Sequence, residues 1–231
     1  MKGISTYITE KLRISSKIEP PKYIASPLSA KELKQIMSDE FVKQGREGAD
    51  LNNIDVRKVT NMSGLFSLST MHSVDIGEWD VSNVYDMSYM FSSCMYLENC
   101  DLSQWDVHNV KDMECMFSHC KLFNPSISEW NVSKVKNMNS MFNSCFRFNC
   151  DISRWNTSSV EDMRSMFSSC RKFNQDILMW DVSKVDDMRF MFEDCLKFDQ
   201  DLSDWNVTTS HTEAMFYGCV NLKKLPAWYT K

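Results

Sequence analysis

Trp180-Asp181-Val182-Ser183-Lys184-Val185-Asp186-Asp187-Met188, followed by Met191-Phe192 and Cys195, is the stretch that decides the fold. Its importance lies in its copies. Tryptophan recurs at Trp79, Trp105, Trp130, Trp155, Trp180 and Trp205. A Met-Phe pair follows in each copy: Met90-Phe91, Met116-Phe117, Met141-Phe142, Met166-Phe167, Met191-Phe192 and Met215-Phe216. Three residues after each of these phenylalanines stands a cysteine: Cys94, Cys120, Cys145, Cys170, Cys195 and Cys219. Self-similarity at a period of about 25 residues is the signature of a repeat architecture. A degenerate first copy begins at Ile54, keeps Val56, Val59, Met62 and Phe66, and has Ser69 where the others have cysteine. The last copy is shortened. One extra residue near Glu98 widens the interval from Trp79 to Trp105, and a bulge would absorb it.

Within one copy, Val135, Met138, Met141-Phe142 and Cys145 step by three or four, which predicts one inward face of a short helix. Ser82, Ser133, Ser158 and Ser183 stand where N-caps would. The segment Asp-Ile/Leu-Ser-x-Trp predicts a short strand. One helix and one strand cannot bury their apolar face alone, but stacked copies can. The expected fold is therefore an α/β repeat, a solenoid with one short strand and one short helix per coil and a parallel strand ladder. Residues 51–225 form seven such repeats, residues 1–50 an N-terminal extension with a helical cap, and residues 226–231 a C-terminal cap.

The string Trp-Asp-Val-Ser-x-Val-x-Asp-Met-x-x-Met-Phe-x-x-Cys-x-x-Phe-Asn-x-Asp-Ile-Ser resembles the BspA-like leucine-rich repeat, from about Ile54 to Leu225. The resemblance implies a right-handed leucine-rich-repeat-like solenoid and a role in adhesion or protein recognition. It brings no catalytic residues with it.

In the N-terminal extension, Ile4, Ile8 and Leu12 suggest a short amphipathic helix over Met1–Arg13. Pro20, Pro21 and Pro27 make the next stretch extended. Ser29-Ala30-Lys31-Glu32 reads as a capping box that starts a helix carrying Leu33, Ile36, Met37 and Phe41, which Gly45 and Gly48 end.

The chemistry-bearing residues point away from catalysis. The four histidines, His72, His108, His119 and His211, form no metal-binding or acid–base motif, and six glycines leave little for a phosphate cradle. The cysteine ladder reads as small buried packing groups. Asp101, Asp151, Asp176 and Asp201 share one position and read as Asx-turn formers. A metal site built from the Cys and Asp ladders is the alternative. No catalytic residue, metal ligand or cofactor is expected. A net charge of −5 argues against nucleic acid and anionic membranes as partners. Met1–Pro20 is charged and lacks an apolar core like that of a secretory signal, so the expected location is cytoplasmic.

The variable positions carry the functional expectation. One stripe follows the cysteines and includes Tyr96, Lys121, Phe146, Arg147, Arg171, Lys172 and Lys197; another precedes the tryptophans and includes Arg154 and Met179. Mixed cations and bulky apolar groups suit an interface. The expected function is a monomeric, non-enzymatic scaffold that binds a protein partner. A structural or adhesive protein of a cell or particle surface is the second reading.

Overall fold

The computed structural model describes residues 22–209 and 211–229. The helix suggested over Met1–Arg13 and the residues before Lys22 lie outside that range. From Lys22 the chain runs extended beside the first repeat. Ile24 N–H donates to Asn53 O at 2.8 Å, Asp55 N–H donates to Ala25 O at 2.8 Å, and Ala25 pairs in parallel with Ile54.

Helix α1 spans Ala30–Gln44. Ser29 Oγ accepts the Glu32 N–H, and the Glu32 carboxylate reaches back to the Leu28 N–H at 2.7 Å. One donor that the helix start leaves without a partner, the Glu32 N–H, is thereby satisfied, and the Glu32 carboxylate ties down the residue before the N-cap. Leu33 and Met37 enter the core. Gly45, at φ 86°, ends the helix and donates its N–H to Phe41 O. Between α1 and the first repeat a groove remains, lined by Met37, Phe41, Leu65 and Leu68 among others.

Successive repeats lie side by side. Parallel bridges run from Asn61 to Asp86, Asp112, Asn137, Asp162, Asp187 and His211, each joining one repeat to the next. The hydrogen bonds that make this ladder come from the segment in which a helix was expected. Met138, Ser140, Phe142 and Ser144 donate to the carbonyls of Asp162, Arg164, Met166 and Ser168 in the following repeat, at 2.7–2.9 Å. The intervening amides turn inward to their own repeat: Met141 to Met138, Asn143 to Ser140 and Cys145 to Phe142. Alternate amides thus point along the stack, and the rest close four-residue turns or, at Asn139, meet the Asn137 side chain.

This replaces the expected helix in each copy; among the described residues α1 is the one helix. The serines read as N-caps have no helix to cap; Ser82, Ser133, Ser158 and Ser183 instead donate N–H to the Asp or Asn two residues before them. The expected strand before each tryptophan is also a turn in most copies. Among the described residues, two-residue strands form only at the start of the stack, β1 (Ala49–Asp50) and β2 (Val74–Asp75), paired in parallel. The physical reason is that a three-to-four apolar spacing fits a chain folding through successive four-residue turns as well as it fits a helix. The difference is made by two left-handed residues per repeat, at Tyr89 and Ser93, Cys115 and His119, Ser140 and Ser144, Ser165 and Ser169, and Phe190 and Asp194. A positive φ at the third residue of a turn belongs to the type II family and interrupts a right-handed helix. None of these residues is β-branched, as the steric cost of that region requires.

Side chains complete the stack. All seven indole N–H groups donate to a main-chain carbonyl one repeat back, from Trp79 to Leu51 through Trp228 to Leu202, at 2.9–3.2 Å. Phe66, Phe91, Phe117, Phe142, Phe167, Phe192 and Phe216 form a nearly parallel ring stack with centroids 5.1–5.8 Å apart. The thiols of Cys94, Cys120, Cys145, Cys170, Cys195 and Cys219 donate to the preceding repeat's Phe carbonyl at 2.9–3.1 Å. At the extra residue near Glu98, the amides of Glu98 and Asn99 both donate to His72 O, where Asn149 and Asn174 donate to an asparagine Oδ1 of the preceding repeat.

Two predictions follow from these contacts. Ser165, at φ 52°, makes no side-chain hydrogen bond. Relief of a left-handed strain of roughly 1–2 kcal/mol outweighs glycine's entropy cost of roughly 0.5–1 kcal/mol. Ser165→Gly should therefore raise the urea midpoint, and Ser165→Val should lower it by about 2 kcal/mol equivalent. Asp55 is buried where the extended segment meets the stack and takes the Ser26 hydroxyl; Arg57 hydrogen bonds lower its carboxyl from 3.8 to about 2, against the effect of burial. A depressed carboxylate stabilises the fold above its unfolded value and loses that contribution as pH falls through the folded one. Acid unfolding should accordingly steepen between about pH 4 and pH 2, and Asp55→Asn should remove that steepening while lowering stability at neutral pH.

Candidate interaction face

From Cys94 to Cys195, the four-residue turn that starts at each ladder cysteine projects its two middle side chains outward, because the cysteine and the Leu or Phe that end it are both buried. Repeating that turn builds the stripe. Lys121, Phe146 and Arg171 hold the same position in three successive repeats. The Phe146 ring carries the Lys121 ammonium at 5.7 Å and the Arg171 guanidinium at 4.3 Å from its centroid. Cations over an aromatic face are attracted by its quadrupole, by about 0.5–1 kcal/mol at an exposed site. One residue further on, Arg147 and Lys172 line a shallow groove with Leu122, Asn124 and Asn149. Arg147 reaches across two repeats to Glu98 at 3.9 Å, with both side chains exposed, so the pair adds little stability. Tyr96 marks the other end of the stripe and lies 5.6 Å from the His72 ring. Lys197 is exposed in the repeat beyond Lys172.

Arg154 and Met179 lie elsewhere on the repeat. Arg154 pairs with Glu129 at 3.6 Å, and Met179 is 83% exposed. No hydrogen bond, ion pair or ring contact among the described residues joins either to the first group. The structure therefore gathers Lys121, Phe146, Arg147, Arg171 and Lys172 and leaves this second pair outside.

A row of amides in the groove was missed by sequence reasoning. Asn124, Asn149, Asn174 and Asp199 each accept, through Oδ1, the main-chain N–H of the next repeat's equivalent, with the first three bonds at 2.8–2.9 Å. The signal was present in the Phe-Asn pair that recurs in the repeat, and its meaning depends on which neighbour it faces.

The acidic positions hold turns together. Asp101, Asp151, Asp176 and Asp201 each accept the N–H two residues on, at 2.9–3.0 Å. The stacked row Asp86–Asp112–Asn137 is knit by amide donors: Asn61 Nδ2 reaches Asp86 Oδ2 at 2.8 Å, and Asn137 reaches Asp112 Oδ2 at 3.5 Å. Burial pushes the Asp112 carboxyl up, with the Asp86 and Glu114 charges adding to it and the Glu114 N–H opposing. Among the described residues no group of three or more His, Cys, Asp or Glu converges to hold a metal ion. No helix there is long and apolar enough to cross a membrane.

The nine cysteines are free thiols. Burial pushes Cys145, Cys170 and Cys195 far above the ordinary thiol range. Cys100 is buried, whereas Cys115 and Cys150 are half-buried and lie off the ladder.

The family model described as "Mycoplasma protein of unknown function, DUF285" matches twice, over residues 35–145 and 123–228. No curated protein and no solved structure matches.

The thiol geometry makes a prediction about labelling. With iodoacetamide at pH 8, peptide mass spectrometry should find Cys115 and Cys150 modified first. Cys145, Cys170 and Cys195 should react only in urea; the reverse order would contradict their burial.

Proposed function

We propose a recognition role for this chain, which belongs to the Mycoplasma family of unknown function DUF285. In this reading it is a non-enzymatic scaffold, a right-handed leucine-rich-repeat-like solenoid of the BspA type. It binds a protein partner along the stripe that follows the ladder cysteines. The parallel bridges that join each repeat to the next support the solenoid reading.

One observation carries the functional reading. The Lys121–Phe146–Arg171 arrangement presents an aromatic ring and two cations at fixed repeat spacing on a backbone that is hydrogen-bonded on both sides. Long charged side chains lose much rotamer freedom when a partner binds. A rigid backbone with mutually supporting side chains lowers that ordering cost. Aromatic and arginine side chains are also the types that dominate binding energy at interfaces.

The reading is tested by panning a random dodecapeptide display library on wild type and on the double variant Phe146→Ser/Arg147→Ser. Peptides enriched on wild type should bind the variant at least about tenfold more weakly, a loss of about 1.4 kcal/mol. Circular dichroism and the urea midpoint should match between the two forms. No enrichment over a bare-surface control, or equal binding to the variant, would overturn the reading.

A further inference from the structure

We infer that the occupant of the stripe is an extended, acidic peptide segment laid along the stacking direction; this rests on the recognition role proposed above. The first argument is charge. The whole chain carries −5, yet the turns after Cys120, Cys145, Cys170 and Cys195 carry Lys121, Arg147, Arg171, Lys172 and Lys197. Two carboxylates beside these turns are engaged: Glu98 by Arg147, and Asp199 by Lys223. Among the described residues, Lys121, Arg171, Lys172 and Lys197 enter no ion pair. Four cations set on the turns of neighbouring repeats of an acidic molecule leave a local positive field that a carboxylate-rich ligand complements.

The second argument is hydrogen-bonding polarity. Main-chain N–H groups bond to Oδ1 of Asn124, Asn149 and Asn174. An N–H can only donate, so each amide's orientation is fixed and its Nδ2 donor is the group left for a ligand. The groove thus sets Arg147 and Lys172 beside amide donors, and its carboxylate, Glu98, lies against Arg147. Acceptors on the ligand, carboxylates and carbonyls, are what such a wall selects.

The third argument is spacing. Stacked rings beside the stripe repeat every 5.7–6.1 Å, from Phe117 to Phe142 and from Phe148 through Phe173 to Phe198. An extended peptide places same-side residues about 6.8 Å apart, within the reach of flexible lysine and arginine heads. Apolar groups at both ends, Tyr96 and Met95 on one side and Leu196 on the other, offer seats for flanking hydrophobic residues. A single-stranded nucleic acid also brings anions, but it depends on stacking its bases on open aromatic faces. Tyr96 and Phe146 are the stripe's two aromatic rings and lie two repeats apart, and the net charge of the whole molecule repels a long polyanion.

The test is fluorescence anisotropy with the full chain and a fluorescein-labelled octapeptide, Glu-Leu-Glu-Phe-Glu-Leu-Glu-Glu. Its controls are the same peptide with Gln for Glu and a 20-mer oligothymidylate. The acidic peptide should bind with Kd on the order of 10 µM at 50 mM salt and about tenfold more weakly at 500 mM. Lys172→Glu/Lys197→Glu should weaken it at least about tenfold, and Lys172→Arg/Lys197→Arg should restore it. Both lysines are exposed, so the folded state survives either change. Equal affinity for the Gln peptide, tighter binding of oligothymidylate, no loss in the Glu variant, or no binding at millimolar peptide would each overturn the acidic occupant. If the display library yields neutral peptides that need Phe146 and Arg147, the acidic occupant fails while the recognition role stands.

Discussion

The structure depends on where alternate main-chain amides point. In each repeat but the last, four alternate N–H groups, starting at the Met of the Asp/Asn-Met pair, leave their own repeat and bond to the next one. That pattern requires a chain that turns sharply and keeps a flat edge toward each neighbour. The two left-handed residues per repeat provide it. Once those bonds exist, every other ladder falls into place. Indoles and thiols meet the carbonyls that the turns expose one repeat back, and rings stack because their backbones are already aligned. The polar cost of burying a carbonyl is met by a side chain of the next copy rather than by water.

The same constraint explains which parts of the architecture were legible in the sequence. The spacing of tryptophan, Met-Phe and cysteine was visible because each of those residues contacts its own counterpart or the backbone beside it, so a change of interval would break many contacts together. The start of α1 was legible because capping is local: Ser29 and Glu32 act within one turn of chain. The conformation inside a repeat was not legible. Val135, Met138, Met141 and Cys145 are buried as their spacing suggests, but burial alone does not distinguish a helix from successive turns. The deciding information is the positive φ at residues such as Ser140 and Ser144, and serine announces no such preference.

The interaction face shows a similar division. The cation-and-aromatic composition after each cysteine was apparent, and Lys121, Phe146 and Arg171 do meet. Arg154 and Met179 do not join them, because the turn before each tryptophan presents a separate row. The amide row at Asn124, Asn149 and Asn174 escaped notice because its function is relational: each oxygen serves the repeat that follows.

The double acceptance at His72 has a consequence for how the chain finds its alignment. Near-identical repeats offer nearly equivalent neighbours, so a folding chain could pair a repeat with the wrong copy at little energetic loss. The additional residue between Leu97 and Asp101 breaks that equivalence: this segment is one residue longer than Phe148–Asp151 or Phe173–Asp176, and its amides meet His72 O where Asn149 and Asn174 meet an asparagine Oδ1. A slip by one whole repeat would oppose this longer segment to a neighbour without room for it. One irregular residue thereby acts as an index mark, telling an otherwise monotonous stack where counting begins.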